Sequence, residues 1–132
     1  MNLNHATLCV SDLDRSVAFY RQLGLIQIVA DQGYARFVCP DGDTTLSLHC
    51  DAAAGPVESA VSVISLHFET ERLDELVDEL ERAGIGFEQQ PTDQPYLWRE
   101  AILRDPDGHR IFIYHAGVNR LSPPWRLPAP AS

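Results

Sequence analysis

Several side chains that can bind ligands or move protons lie in segments where polar and apolar residues alternate. Successive side chains of a strand point to opposite faces, so a cleft that receives Ser47 also receives His49. His67 lies in a similar run, and His5 lies near the N-terminus of the chain. Imidazole and hydroxyl groups donate and accept hydrogen bonds, and imidazole also exchanges protons near neutral pH. The pattern predicts a small-molecule site that includes His5, Ser47, His49 and His67.

Residues 95–101 form the densest cluster of aromatic and charged side chains in the sequence. Strand alternation directs Trp98 and Glu100 toward the same cleft, and Tyr114 joins them from the last strand. A carboxyl group beside an aromatic wall can have a raised pKa and act as a general acid or base. The neighbouring Arg99 is a candidate clamp for an anionic ligand group. The alternative is that Glu100 forms a structural ion pair with an arginine.

Composition excludes several functions. The chain has 132 residues and a formal net charge of −9, which opposes a nucleic-acid partner and leaves room for a single domain. It contains no lysine, which excludes lysine-based covalent catalysis. We find neither a membrane span nor a signal peptide, and therefore expect a cytoplasmic protein. Cys9, Cys39 and Cys50 match no metal-binding spacing, and we expect them to be buried thiols.

Hydrophobic periodicity predicts the same order of elements twice. A strand near 3–10 precedes a helix that Ser11 or Asp12 can cap and that ends at Gly24, and three short strands follow. The second half repeats this with a strand near 61–68, a helix that ends at Gly84 and three more strands. The six shorter strands are expected near 26–30, 34–38, 44–50, 86–89, 97–104 and 110–115. The sequence thus predicts two β-α-β-β-β modules, and Pro106-Asp107-Gly108 in the second repeats Pro40-Asp41-Gly42 in the first.

Two motifs give these modules a family resemblance. Residues 4–20, Asn-His-Ala-Thr-Leu-Cys-Val-Ser-Asp-Leu-Asp-Arg-Ser-Val-Ala-Phe-Tyr, resemble the opening of glyoxalase I and its relatives. Residues 105–111, Asp-Pro-Asp-Gly-His-Arg-Ile, resemble the turn before the last strand of the same group. The chain is therefore similar to the vicinal oxygen chelate superfamily, which includes glyoxalases, bleomycin-resistance proteins and extradiol dioxygenases.

The resemblance implies an α+β fold in which the curled mixed sheets form a half-open barrel with both helices outside. It implies one glyoxalase-like domain over residues 1–117, with module one at about 1–51 and module two at about 60–117. Residues 118–132 are expected to form a proline-rich arm. Family members with this organisation usually cover their clefts across a two-fold axis, so we expect a homodimer.

In the metal-dependent branch of this family, the first and last strands of each module supply one ligand of a divalent ion. These positions fall on His5, Ser47, Val63 and Phe112. Ser47 stands where a carboxylate is usual, and Val63 and Phe112 have no donor atom. The register of the last strand decides whether Phe112 or Ile113 faces the cleft, and neither binds an ion. We therefore assign no metal ligand and expect no cofactor, with a divalent metal in an altered site as the alternative.

Two functions remain open from the sequence. The first is a small-molecule-binding protein of the bleomycin-resistance type, for an aromatic or cationic ligand. The second is an enzyme of the superfamily, a lyase, isomerase or dioxygenase, that uses Glu100 and His49 as acid–base residues or an altered metal site. Ligand contacts are expected from His5, Ser47, His67, Trp98, Tyr114 and Arg99.

Overall fold

The computed structural model describes residues 1–51 and 64–128. It contains two α-helices, α1 (Leu13–Leu23) and α2 (Leu73–Arg82), and one 3-10 helix, Gly117–Arg120. The strands of the first module are β1 (His5–Val10), β2 (Ile26–Asp31), β3 (Tyr34–Val38) and β4 (Thr45–Cys50). Those of the second are β5 (Ser65–Glu69), β6 (Gln89–Asp93), β7 (Arg99–Arg104) and β8 (Arg110–His115).

Each module forms its own four-stranded mixed sheet. The strand orders are β1-β4-β3-β2 and β5-β8-β7-β6, so the two sheets repeat the same topology. The first strand of each module pairs in parallel with its last strand, while β2–β3, β3–β4 and β6–β7 pair antiparallel. This arrangement confirms the predicted α+β class and the repeated β-α-β-β-β order.

Each helix packs on one face of the sheet in its own module. Helix α1 begins after Asp12, whose carboxylate accepts a hydrogen bond from the backbone N–H of Arg15 at 3.1 Å. It ends at Gly24, which takes the left-handed conformation that only glycine adopts without strain. Helix α2 buries Leu73, Val77 and Leu80 and exposes its acidic residues.

Contacts between residues divide the chain into two units. Unit 1 comprises Met1–Ile64 and Arg104–His109, and unit 2 comprises Ser65–Leu103 and Arg110–Ser132. The turn of the final hairpin, which belongs to the second module by sequence, is thus part of unit 1.

Two buried aspartates of this turn are hydrogen-bonded within unit 1. Asp107 accepts hydrogen bonds from the backbone N–H of Ser11 at 3.0 Å, from the hydroxyl of Ser11, and from the hydroxyl of Ser16 at 3.3 Å. Asp105 accepts one from the hydroxyl of Tyr20 at 2.7 Å and one from the backbone N–H of His109 at 2.8 Å. The two motifs that carried the family resemblance therefore contact each other.

Two sequence-based expectations need correction. The strand predicted near 86–89 lies at Gln89–Asp93, because residues after α2 first form an irregular connection. The three cysteines are not core thiols: Cys9 is exposed, and Cys39 and Cys50 are partly exposed. The first strand of module two is described only from Ser65, and the predicted residues 61–63 lie outside the described part of the chain. No helix among the described residues has the length and apolar character needed to cross a membrane.

Candidate functional site

Unit 2 contains a cavity of about 500 Å³ with a largely aromatic lining, here called the aromatic cavity. Its volume lies within the range of typical small-molecule sites. Side chains from β5, β7 and β8, from the loop before β7 and from the C-terminal segment line it. The lining residues are Ser65, His67, Tyr96, Trp98, Glu100, Phe112, Asn119, Arg120, Pro123 and Trp125.

The aromatic side chains hold one another in place. Trp98 stacks on the buried ring of Tyr114 with centroids 4.7 Å apart, and Tyr96 meets Trp98 edge-on at 5.9 Å. His67 stacks on Phe112 with centroids 4.4 Å apart. The indole N–H of Trp98 donates to the backbone oxygen of Asn119 at 3.4 Å. These contacts fix the orientation of rings on which a flat ligand can stack.

Strand alternation explains how β8 contributes to this cavity. Ile111 and Ile113 are buried on the face that packs with α2, whereas Phe112 lines the cavity. The register left open by the sequence is thus settled in favour of Phe112. On β5, Ser65 and His67 share the cavity face by the same alternation.

Glu100 brings a carboxyl group to this aromatic lining. The residue is only 3% exposed, and burial raises the pKa of its carboxyl, with a smaller opposing effect from Arg110. The guanidinium of Arg110 lies 5.3 Å from the ring centre of Phe112. Its Nε is buried and has no hydrogen-bond partner in the described part of the chain.

His67 and Arg99 have different surroundings within unit 2. Burial lowers the pKa of His67, so its imidazole is mainly neutral at neutral pH and can accept a hydrogen bond. Arg99 is not among the cavity-lining residues; it forms ion pairs with Asp74 and Asp93, each at 3.1 Å. The structure therefore places the predicted anion clamp in a surface ion-pair network.

Part of the C-terminal segment forms one wall of the aromatic cavity. Pro123 and Trp125 line the aromatic cavity. The Glu69 carboxylate accepts hydrogen bonds from the backbone N–H groups of Ala116 and Gly117 at 2.8 and 3.0 Å, which anchors the start of this segment. Residues 129–132 lie outside the described part.

His5, Ser47 and His49 lie in unit 1, on β1 and β4. The exposed ring of His5 is hydrogen-bonded through Nδ1 to the hydroxyl of Thr45 at 2.6 Å. Ser47 is fully buried, and His49 is exposed near the end of its strand. Nothing in the described part of unit 1 joins these three side chains directly.

Sequence reasoning missed the partners of Ser47. Its hydroxyl lies 2.5 Å from the hydroxyl of Tyr34, which also accepts hydrogen bonds from Nε and Nη2 of Arg36 at 2.9 and 2.8 Å. The hydrogen bonds with Ser47 and then with Arg36 lower the pKa of Tyr34. The available signal was the spacing: Tyr34 and Arg36 are two residues apart on a strand and so share a face.

The family model of the glyoxalase/bleomycin resistance protein/dioxygenase superfamily matches residues 2–113, and the chain belongs to this superfamily. It is 32% identical over 117 residues to the glutathione transferase FosA of Serratia marcescens, covering 86% of this chain and 79% of that protein. It is 25% identical over 122 residues to the metallothiol transferase FosB of Lysinibacillus sphaericus, with 89% and 83% covered. A bleomycin-binding protein, solved with bleomycin, has the same fold, with a TM-score of 0.68, 22% identity and 87% and 98% coverage.

These relatives correct the expectation that no cofactor is involved. Two relatives, from Lysinibacillus sphaericus and Shouchella clausii, are named metallothiol transferases, and their names contradict the expectation of no cofactor. The register of the parallel strand pairs also changes the residue assigned to one of the family's four ligand positions. His5 pairs with Thr45, two residues before Ser47, and Ser65 pairs with Arg110, two residues before Phe112.

The counterpart of His5 in the second module is therefore Ser65. Val63, the position assigned from sequence, lies outside the described residues. Of the described residues at the family's ligand positions, only His5 is a strong metal ligand. The hydroxyl of Ser47 instead accepts a hydrogen bond from the guanidinium of Arg36 at 3.4 Å. Within residues 1–51 and 64–128, no group of three or more His, Cys, Asp or Glu side chains is arranged to hold an ion. These described residues do not fit the family's usual set of metal ligands.

Proposed function

We propose that this protein binds a small organic molecule with a flat aromatic ring system in the aromatic cavity of unit 2. The observation that carries this proposal is that Trp98 and the stacked pair of His67 and Phe112 line one cavity. Stacking on the buried ring of Tyr114 holds Trp98 in place. Rings already held in place lose little freedom when a ligand stacks on them, which favours binding. A homodimer and a cytoplasmic location belong to the same proposal.

Glu100 supports catalysis as a second function. A buried carboxyl group with a raised pKa is a candidate general acid or base toward a bound ligand. The names of the relatives as transferases agree with an enzyme of this kind. Within unit 2, Glu100 carries this candidate.

Isothermal titration calorimetry with naphthalen-1-ylmethanol tests the proposed function. This uncharged probe has a flat ring system small enough for the cavity, and we expect saturable binding with one site per chain. The absence of heat and of any rise in melting temperature at millimolar probe would contradict the proposal. Conversion of the probe, detected by mass spectrometry of the recovered material, would support catalysis as the second function.

A further inference from the structure

The aromatic cavity contains one carboxyl group whose hydrogen-bonding capacity is unused. Glu100 lines the cavity and is almost completely buried by its surroundings. Among the described residues, no hydrogen bond or ion pair reaches its carboxyl oxygens. In the described part of the chain, Nε of Arg110 is the only buried side-chain N or O atom without a hydrogen-bond partner. The oxygens of Glu100 are therefore open to the cavity, where they can accept a hydrogen bond from a ligand that supplies an N–H donor.

The positively charged side chains near Glu100 interact mainly with other groups. The carboxylate of Glu100 can therefore accept a hydrogen bond from an N–H group of a ligand. Arg120 also lines the cavity, but Nε of Arg120 lies 3.7 Å from the carboxylate of Glu69, which offsets its charge. Arg110 attracts Glu100 at longer range while its guanidinium lies over the ring of Phe112. His67, whose pKa is lowered by burial, adds little positive charge at neutral pH.

We propose that the ligand of this cavity carries a protonated amine or amidine beside its ring system, and that this group donates to Glu100 while the ring stacks on Trp98. The inference rests on the proposed function and narrows its ligand class. A cationic N–H donor forms a stronger hydrogen bond with a carboxylate than a neutral donor does. Electron-rich rings such as those of Trp98 and Tyr96 also attract a cation placed over their faces. The net charge of −9 attracts cationic ligands from solution.

Two probes that share one ring system test this inference. Calorimetry compares naphthalen-1-ylmethylamine, which is protonated at neutral pH, with naphthalen-1-ylmethanol. We expect the amine to bind about tenfold more tightly than the alcohol in the unaltered protein. In Glu100→Gln the affinities for the amine and the alcohol should agree within about twofold. Glu81→Gln, a change at an exposed residue of α2, is the matched control and should keep the preference for the amine.

The outcomes separate this inference from the proposed function. An amine that binds no more tightly than the alcohol, or whose advantage persists in Glu100→Gln, contradicts the inference and leaves the proposed function standing. If neither probe binds, both the inference and the proposed function are contradicted. If Glu100→Gln does not fold, titrations of the unaltered protein at decreasing pH replace it. The advantage of the amine should then disappear as Glu100 becomes protonated, and an advantage that is independent of pH counts against the inference.

Discussion

Replacing Asp107 with Ala is expected to lower the free energy of unfolding by about 3–5 kcal/mol. The carboxylate of Asp107 is 2% exposed and accepts hydrogen bonds from the backbone and hydroxyl of Ser11 and from the hydroxyl of Ser16. Removing this carboxylate leaves the buried and part-buried N–H and hydroxyl donors without their acceptor. Chemical denaturation followed by circular dichroism measures the loss, together with a fall in melting temperature of roughly 10–20 °C.

The internal repeat supplies a matched control for this experiment. Asp41 occupies the corresponding place in the Pro40-Asp41-Gly42 turn of the first module, but it is exposed, and no hydrogen bond of its side chain is present in the described structure. Asp41→Ala should change the free energy of unfolding by less than about 0.5 kcal/mol. Equal effects at the two positions would show that turn chemistry alone, and not the buried contacts of Asp107, stabilises the fold.

Replacing Trp98 with Ala is expected to weaken binding of naphthalen-1-ylmethanol by about 10- to 100-fold. The indole ring forms one wall of the aromatic cavity and stacks on Tyr114, so its loss removes both a contact surface and the support of a neighbouring ring. Calorimetric titration of the variant measures the change in Kd.

Ile28→Ala is the control for the loss of Trp98. Ile28 is an exposed apolar residue of β2 in unit 1 and lies outside the aromatic cavity, so its replacement should leave Kd unchanged. An unchanged Kd in Trp98→Ala, with the variant folded, would place the bound probe elsewhere on the protein.

Most of the fold could be predicted from local signals in the sequence. The helix-ending glycines Gly24 and Gly84, the strand alternation and the repeated Pro-Asp-Gly turns report local backbone geometry, which the residues themselves determine. They could not show that Asp105 and Asp107 are buried against α1 whereas Asp41 is exposed. That difference depends on contacts between residues almost a hundred positions apart.

The candidate site was also predictable only in part, because strand alternation is a local signal whereas the pairing of charges depends on distant residues. The periodicity of a strand correctly grouped Trp98 with Glu100, since both line one cavity. It gave no information on which charges pair, so Arg99 was assigned to a ligand although Asp74 and Asp93 hold it. Tyr34 and Arg36 were missed because a tyrosine and an arginine on a half-buried strand are ordinary residues until their contact with Ser47 is known.

The central claim is that the aromatic cavity of unit 2 is the ligand-binding site, and the two tryptophans of the chain allow it to be tested directly. Both Trp98 and Trp125 line this cavity, so the two indole N–H signals in a ¹H–¹⁵N correlation spectrum report on it alone. We predict that saturating naphthalen-1-ylmethanol shifts both indole signals, with the same Kd that calorimetry gives. Saturable binding that leaves both signals in place would contradict the account, because the probe would then occupy another part of the protein.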